Sequence, residues 1–261
     1  MSYETVSLDR DGRGVATLWL DRAGKHNAMN ARMLSDIHAA AQELNTDASV
    51  RVVVLAARGR TFCAGGDLDW MRQQFDAAPA ERGAQARVLA EMLQALNTLD
   101  KPLIGRVHGN CFGGGVGMVS VCDVAIAAEP VQMALTETRL GLIPATIGPY
   151  VLARMGEGKA RRVFMSGRRF GAAEAREMDL VARVVPLGDL DAAVEAEIAP
   201  YLETAPGAVA RAKRLARYLG PAITPEVIET SIAELVACWE GEEAPAGIGA
   251  FFDKRRPPWQ E

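Results

Sequence analysis

Two glycine-rich loops are where this chain could do chemistry. The first loop reads Phe62-Cys63-Ala64-Gly65-Gly66-Asp67, and the second Gly109-Asn110-Cys111-Phe112-Gly113-Gly114-Gly115-Val116-Gly117. Each follows an apolar run and is expected to open a helix. Glycine tolerates positive φ and lets the backbone approach a ligand closely. A helix start adds unpaired N–H groups and the positive end of the helix dipole. Two such ends converging would hold a developing negative oxygen between fixed donors. Either loop alone reads equally well as tight helix packing; the pair is more informative. Taken alone, Thr136-Glu137-Thr138 reads as a surface loop.

Other chemistries fare worse. No G-x-x-x-x-G-K-[ST] is present. A G-x-G-x-x-G begun at Gly113 ends on Met118, and one begun at Gly115 ends on Ser120, so the loops do not read as nucleotide-binding. Around Ser166, Phe164 and Arg168 stand where a serine hydrolase needs glycines. His26, His38 and His108 are scattered with no H-E-x-x-H, so no metal is expected. His108 reads as a packed loop residue. Cys63, Cys111, Cys122 and Cys238 form no C-x-x-C pair and are expected as free thiols. A low-pKa thiol at Cys63 or Cys111 is conceivable at a helix start but ranks far below the glycine-loop reading. Trp70 and Met71, at helical spacing from Asp67, fit a pocket wall or plain core equally.

The elements that must position these groups alternate in type. Val15 to Leu20 reads as a strand, and Asn30 as the N-cap of a helix carrying Met33, Leu34, Ile37, Ala41 and Leu44 on one face. Arg51 to Ala57 and Leu103 to Val107 read as buried parallel strands, each running into a glycine loop. Leu89, Met92, Leu93 and Leu96 mark a long helix between them. Short strands are expected at Val124 to Ala127, Val131 to Leu135 and Val181 to Val185. The remainder reads as helices over Leu190–Leu202, Ala208–Tyr218, Pro225–Trp239 and Gly247–Lys254, separated by Pro206, Pro221 and Pro245. The fold class is α/β with a helical C-terminal region.

The chain has 261 residues, 49% of them hydrophobic, and a net charge of -4. That length supports one large α/β domain with a helical extension. The charge argues against a nucleic-acid partner. Met-Ser-Tyr-Glu-Thr-Val carries no secretory signal, and Val116 to Ala128 is too short and too interrupted to span a bilayer, so a cytoplasmic enzyme with no membrane partner is expected.

Taken together, the motifs resemble the crotonase (enoyl-CoA hydratase/isomerase) family. Phe62 to Leu68 and Gly109 to Gly117, the latter followed by Cys122-Asp123, are similar to its two oxyanion-hole segments. Asp21 to Met29 resembles its N-terminal motif, with Ala23 where proline is usual. Glu137 to Pro144 resembles its catalytic-acid segment, and Ala250 to Arg256 its C-terminal helix. The resemblance implies a crotonase-type spiral of ββα repeats over residues 1–195 and a helical oligomerisation region over 196–261, in a trimer or dimer of trimers. It implies an acyl-CoA thioester substrate and no separate cofactor.

Carried over by position, the resemblance places the backbone N–H groups of Gly66 and Gly114 on the thioester oxygen and makes Glu137 the acid–base residue. It puts Ala28 and Ala64 near adenine, Lys25 near the CoA phosphates, Asp67 and Leu68 on the CoA-contacting segment, and Phe251 and Lys254 on the CoA of a neighbouring subunit. For Asp67 the residues themselves favour helix capping, and Lys254-Arg255-Arg256 alone reads as a solvated tail. The family's first catalytic glutamate falls at Gly117, which has no side chain. Glu137 serving both ends of a syn water addition, Glu137 shuttling one proton as in enoyl-CoA isomerases, and acyl-CoA binding with little catalysis all stay open. Gly12 to Leu20, Gly115 to Met118, Arg139 to Ala145 and the ending Lys-Arg-Arg-Pro-Pro-Trp-Gln resemble bacterial methylglutaconyl-CoA hydratases of leucine breakdown. Those enzymes look glycine-substituted at the same place. That likeness favours hydration of a branched or carboxylated 2-enoyl-CoA.

Overall fold

The computed structural model describes residues 3–260. Met1 and Ser2, part of the N-terminal reading, and Glu261 at the end of the C-terminal region lie outside the described residues. β1 (Val6–Arg10) and β2 (Val15–Leu20) form an antiparallel hairpin in which Leu8 faces Leu18. β2 then pairs in parallel with β3 (Val52–Ala57), followed across the sheet by β4 (Leu103–Val107), β6 (Val124–Ala128) and β9 (Arg183–Val185). Every residue of β3 is buried, as expected of a continuous apolar run covered on both faces of a parallel sheet.

A second, smaller sheet holds β5 (Cys111–Phe112), β7 (Gln132–Ala134) and β8 (Arg169–Gly171). The chain passes from β4 to β5 and from β6 to β7, so these two strands of the large sheet each hand over to one of the small sheet before a helix follows. This is the ββα spiral. The small sheet also continues into the glycine loops. Cys63 bridges Cys111, Cys111 pairs with Met133, and Met133 with Phe170.

α1 (Ala31–Thr46) starts at Asn30, whose side chain accepts from Met33 N–H at 3.0 Å. Its face of Met33, Leu34, Ile37, Ala40, Ala41 and Leu44 is buried; each large apolar side chain removed from water contributes about 1.5–3 kcal/mol. α2 (Leu68–Asp76) and α3 (Pro79–Asn97) follow the first glycine loop, and α4 (Gly114–Ser120) follows the second. Three further helices are α5 (Gly148–Met155), α6 (Glu157–Phe164) and α7 (Ala172–Glu177). α8 (Leu190–Leu202), α9 (Pro206–Leu219), α10 (Pro225–Glu240) and α11 (Glu243–Phe252) end the chain.

Several boundaries differ from expectation. Pro245 lies in the first turn of α11 instead of ahead of it, because the first turn does not need that N–H. Lys254 lies beyond the helix with φ 54°. β1, β5, β8 and α5 to α7 are additional to the expected elements. Residue 195 falls inside α8, which packs on β4 and β6, so the helices that leave the sheet begin after it. α10 packs on α3, and α11 on the turn at Glu137–Leu140. No helix among the described residues is long and apolar enough to cross a membrane.

Candidate active site

Hydrogen bonds of the strand kind hold the two glycine loops against each other. Cys63 N–H donates to Asn110 O at 3.1 Å and Phe112 N–H to Cys63 O at 2.9 Å. On the other side, Met29 N–H donates to Gly65 O at 2.7 Å and Asp67 N–H to Met29 O at 2.8 Å. Gly66 is therefore fixed between two tethered neighbours, while its own N–H has no acceptor among the described residues. Gly114, first residue of α4, is in the same position. Each of these N–H groups follows a glycine of positive φ, Gly65 at 92° and Gly113 at 50°. That conformation turns the next peptide out of the ladder and toward the cavity. A Cβ on Gly113 would lie 3.9 Å from Gly65 Cα, which measures how closely the loops approach. Two unpaired, rigidly held donors side by side can stabilise an oxyanion with little reorganisation.

Glu137 reaches this place from a 3-10 turn, Glu137–Leu140. A Cβ on Gly113 would be 3.1 Å from Glu137 Oε1, so the carboxyl lies directly over the second loop. Its Oε2 is buried with no hydrogen-bond partner among the described residues. Burial pushes its pKa up to about 7, opposed weakly by a hydrogen bond from its own backbone N–H. A carboxyl titrating near neutrality can both take and return a proton. α11 closes over the turn, with Gly247 so near Leu140 that a Cβ would come within 2.6 Å of its carbonyl.

A cavity of about 470 Å³ joins these groups. Ala64, Gly66, Leu68, Gly114, Glu137 and Phe251 of the expected set line it. Trp70 and Met71 line it as well. Phe251 meets the cavity of its own chain, whereas the resemblance assigns it to a neighbour's CoA. Ala28, Lys25, Asp67 and Lys254 stand outside its lining. Lys25 is exposed, with Nζ 3.4 Å from Asp69 at the start of α2.

Asp67 has the capping place. Its Oδ1 accepts from Asp69 N–H at 2.9 Å and Trp70 N–H at 3.3 Å, and its Oδ2 from Arg22 Nη1 at 2.5 Å. Burial works to raise its pKa. The Arg22 hydrogen bond, the Trp70 and Asp69 N–H groups and the Arg22 charge outweigh that and hold the carboxyl below its usual value. Arg22 Nη1 also donates to Ala28 O at 2.8 Å, so one guanidinium ties the N-terminal motif to α2. Asn27, fully buried, closes the same knot through Arg58 O at 2.9 Å and Thr61 O at 2.8 Å. Arg22 and Asn27 carried no chemical signal in the sequence; a polar pair flanking a Gly-Lys turn was the only hint. Asp67→Ala should destabilise the protein by roughly 2–4 kcal/mol, since it removes a cap and strands a largely buried guanidinium. A urea melt that matches the unsubstituted protein would contradict this.

The position of the missing glutamate is occupied. A Cβ on Gly117 would lie 2.6 Å from Ile147 Cγ2 and 3.0 Å from Ile147 Cβ. The Ile147 side chain and a side chain at 117 exclude one another. Gly117→Ala should cost about 1–3 kcal/mol through overpacking, and Gly117→Glu more, without added turnover. A stable and more active Gly117→Glu protein would refute that reading.

Cys63 and Cys111 are both fully buried. Burial pushes the Cys63 thiol up to about 12 and the Cys111 thiol well above its usual value. His108 is half-buried, with Nε2 2.9 Å from Gly59 O, and burial lowers its pKa. No cluster of three or more metal-ligating side chains occurs among the described residues.

The family model for enoyl-CoA hydratase/isomerase matches residues 10–261. The chain belongs to this family. It is an enzyme of the enoyl-CoA hydratase/isomerase type, and its fold is the crotonase fold. It is 31% identical over 268 residues to the Mycobacterium tuberculosis protein named "Probable enoyl-CoA hydratase echA8", covering 98% of both chains. It is 27% identical to the crotonyl-CoA hydratase of Syntrophomonas wolfei, again over 98% of both. Among solved structures, an enoyl-CoA hydratase from Mycobacterium avium superposes with a TM-score of 0.85 at 30% identity, over 98% of each chain. Another, from Shewanella pealeana, gives 0.80 at 34% identity, over 98% of this chain and 96% of that one.

Proposed function

We propose that this crotonase adds water across the 2,3 double bond of a branched or carboxylated 2-enoyl-CoA, such as a methylglutaconyl-CoA. The observation that carries the reading is the unpartnered Oε2 of Glu137 beside two unpaired N–H groups in one cavity. The substrate class rests on the four segments that resemble methylglutaconyl-CoA hydratases.

In this mechanism the thioester oxygen accepts from Gly66 N–H and Gly114 N–H. Ionised Glu137 takes a proton from water as the water oxygen bonds to C3. The π electrons move onto the thioester oxygen as an enolate, which the two N–H groups hold. The enolate then collapses as Cα takes the proton from Glu137 on the same face. Atoms and charge balance with one carboxyl, so the lack of a carboxylate at position 117 is no obstacle.

The single carboxyl, with Ile147 in the space beside Gly117, favours a second reading: isomerisation of a 3-enoyl-CoA by one proton shuttle. Incubation in labelled water separates the two. Hydration places labelled oxygen at C3 and bleaches the conjugated thioester chromophore. Reaction of 3-enoyl esters alone, with no label at C3, replaces hydration by isomerisation. We further propose a homo-oligomer, a trimer or pair of trimers. Leu215, Tyr218 and Leu219 form an exposed apolar stripe on α9 that supports association, which sedimentation would measure.

A further inference from the structure

The cavity has two unlike sets of lining residues. The glycine loops and the Glu137 turn supply the reacting groups. The rest of the lining includes residues of α2, α3 and α10, among them Trp70, Arg82, Gln85, Leu89, Leu235 and Trp239. An alkyl chain would call for a wholly apolar lining. This one holds two buried polar atoms, Trp70 Nε1 and Gln85 Oε1, with no hydrogen-bond partner among the described residues.

Arg82 is not the missing partner. Its Nε donates to Gln74 O at 2.8 Å and its Nη2 to Phe75 O at 3.0 Å, while Nη1 pairs with Glu240. Its cation also lies over the Trp239 ring, 5.1 Å from the centroid. Each guanidinium nitrogen thus has an acceptor, bracing α3 against α10 and the end of α2. What remains unpaired is an indole donor on α2 and a primary amide on α3. The amide can offer oxygen or N–H by turning over.

Buried polar groups left without partners are rare in folded chains and are commonly completed by a ligand or ordered water. We propose that the acyl group taken by this cavity carries an oxygen function remote from the thioester, received by Trp70 Nε1–H and the Gln85 side-chain amide. The proposal rests on the acyl-CoA reading above and adds the residues that select the acyl group. A carboxylate accepts from the indole N–H and from the amide N–H. A hydroxyl accepts from the indole and donates to Oε1. A methyl terminus satisfies neither, so both atoms would stay unpaired in the complex.

The test measures binding, so it does not depend on turnover. Saturated acyl-CoA esters of equal length, ending in methyl, hydroxyl or carboxylate, are titrated calorimetrically into the unsubstituted protein, Trp70→Phe and Gln85→Leu. The unsubstituted protein should bind an oxygen-terminated ester on the order of tenfold to a hundredfold more tightly than the methyl ester. Both variants should lose that preference, read as the ratio of oxygen-terminated to methyl ester affinity within each protein. The order of hydroxyl and carboxylate esters identifies the oxygen function. Equal binding of all three esters, or a preference that survives both substitutions, overturns the proposal and leaves the hydratase reading standing. Failure of all three to bind overturns the acyl-CoA reading and this one with it.

Discussion

Glu137→Gln is expected to lower kcat for enoyl-CoA hydration by roughly 10²- to 10⁴-fold while leaving acyl-CoA affinity nearly unchanged. The amide keeps the shape of the side chain over Gly113 but can no longer take a proton from water. Burial places the carboxyl pKa at about 7, and hydration begins from the ionised form. In the unsubstituted enzyme kcat/KM should therefore fall about tenfold per pH unit below that value, and the variant should show no such limb. The same burial has a stability consequence of defined sign. With the folded pKa raised above the usual 4.5, the folded state holds its proton more tightly than the unfolded chain. Stability is fully retained below the unfolded pKa and lost as pH rises through the folded one. Above that pH the unsubstituted protein should be less stable than Glu137→Gln by up to about 3 kcal/mol, and the gap should close toward low pH. Full activity in Glu137→Gln, or denaturation midpoints that run parallel with pH, would remove Glu137 from the mechanism.

Gly113→Ala should be nearly as damaging although it deletes no functional group. Gly113 has φ 50° and ψ -118°, a combination that L residues rarely adopt. Its Cβ would also come within 3.1 Å of Glu137 Oε1. Relaxing the strain rotates the peptide that carries Gly114 N–H, and an oxyanion donor out of line costs on the order of 10²- to 10³-fold in kcat. Gly114→Ala is the contrasting variant. Its Cβ would collide with Met29 Cε at 1.9 Å, but that atom ends a flexible side chain and can swing aside. The N–H stays where it is, so Gly114→Ala should lose far less turnover than Gly113→Ala. Equal losses in the two would show that crowding, not donor orientation, governs this loop.

Local chemistry made part of this protein legible from its residues alone. The buried run at Val52–Ala57, the Asn30 cap with its apolar face and the glycine loops after strands each have a signature set by neighbours in the chain. Asp67 as a cap was legible for the same reason: an acidic side chain just before a helix meets the N–H groups two and three residues on. Glu137 was visible only through its likeness to a family segment, because Thr-Glu-Thr has no period and no local partner.

What tertiary structure decided is the environment of each group. The Glu137 pKa comes from burial under α11 and over Gly113, residues far away in sequence. Gly117 without a side chain looked like a vacancy; packing turns it into a space already filled by Ile147, thirty residues on. Whether Trp70 was core or pocket could not be read from helical spacing, since both readings share one period, and Gln85 carried no signal in the sequence. Only the meeting of α2, α3 and α10 leaves their polar atoms buried and unpaired on a cavity wall. Hydrophobic patterning says which face of an element turns inward, but desolvation and hydrogen-bond pairing depend on what else arrives there, and long-range packing sets that.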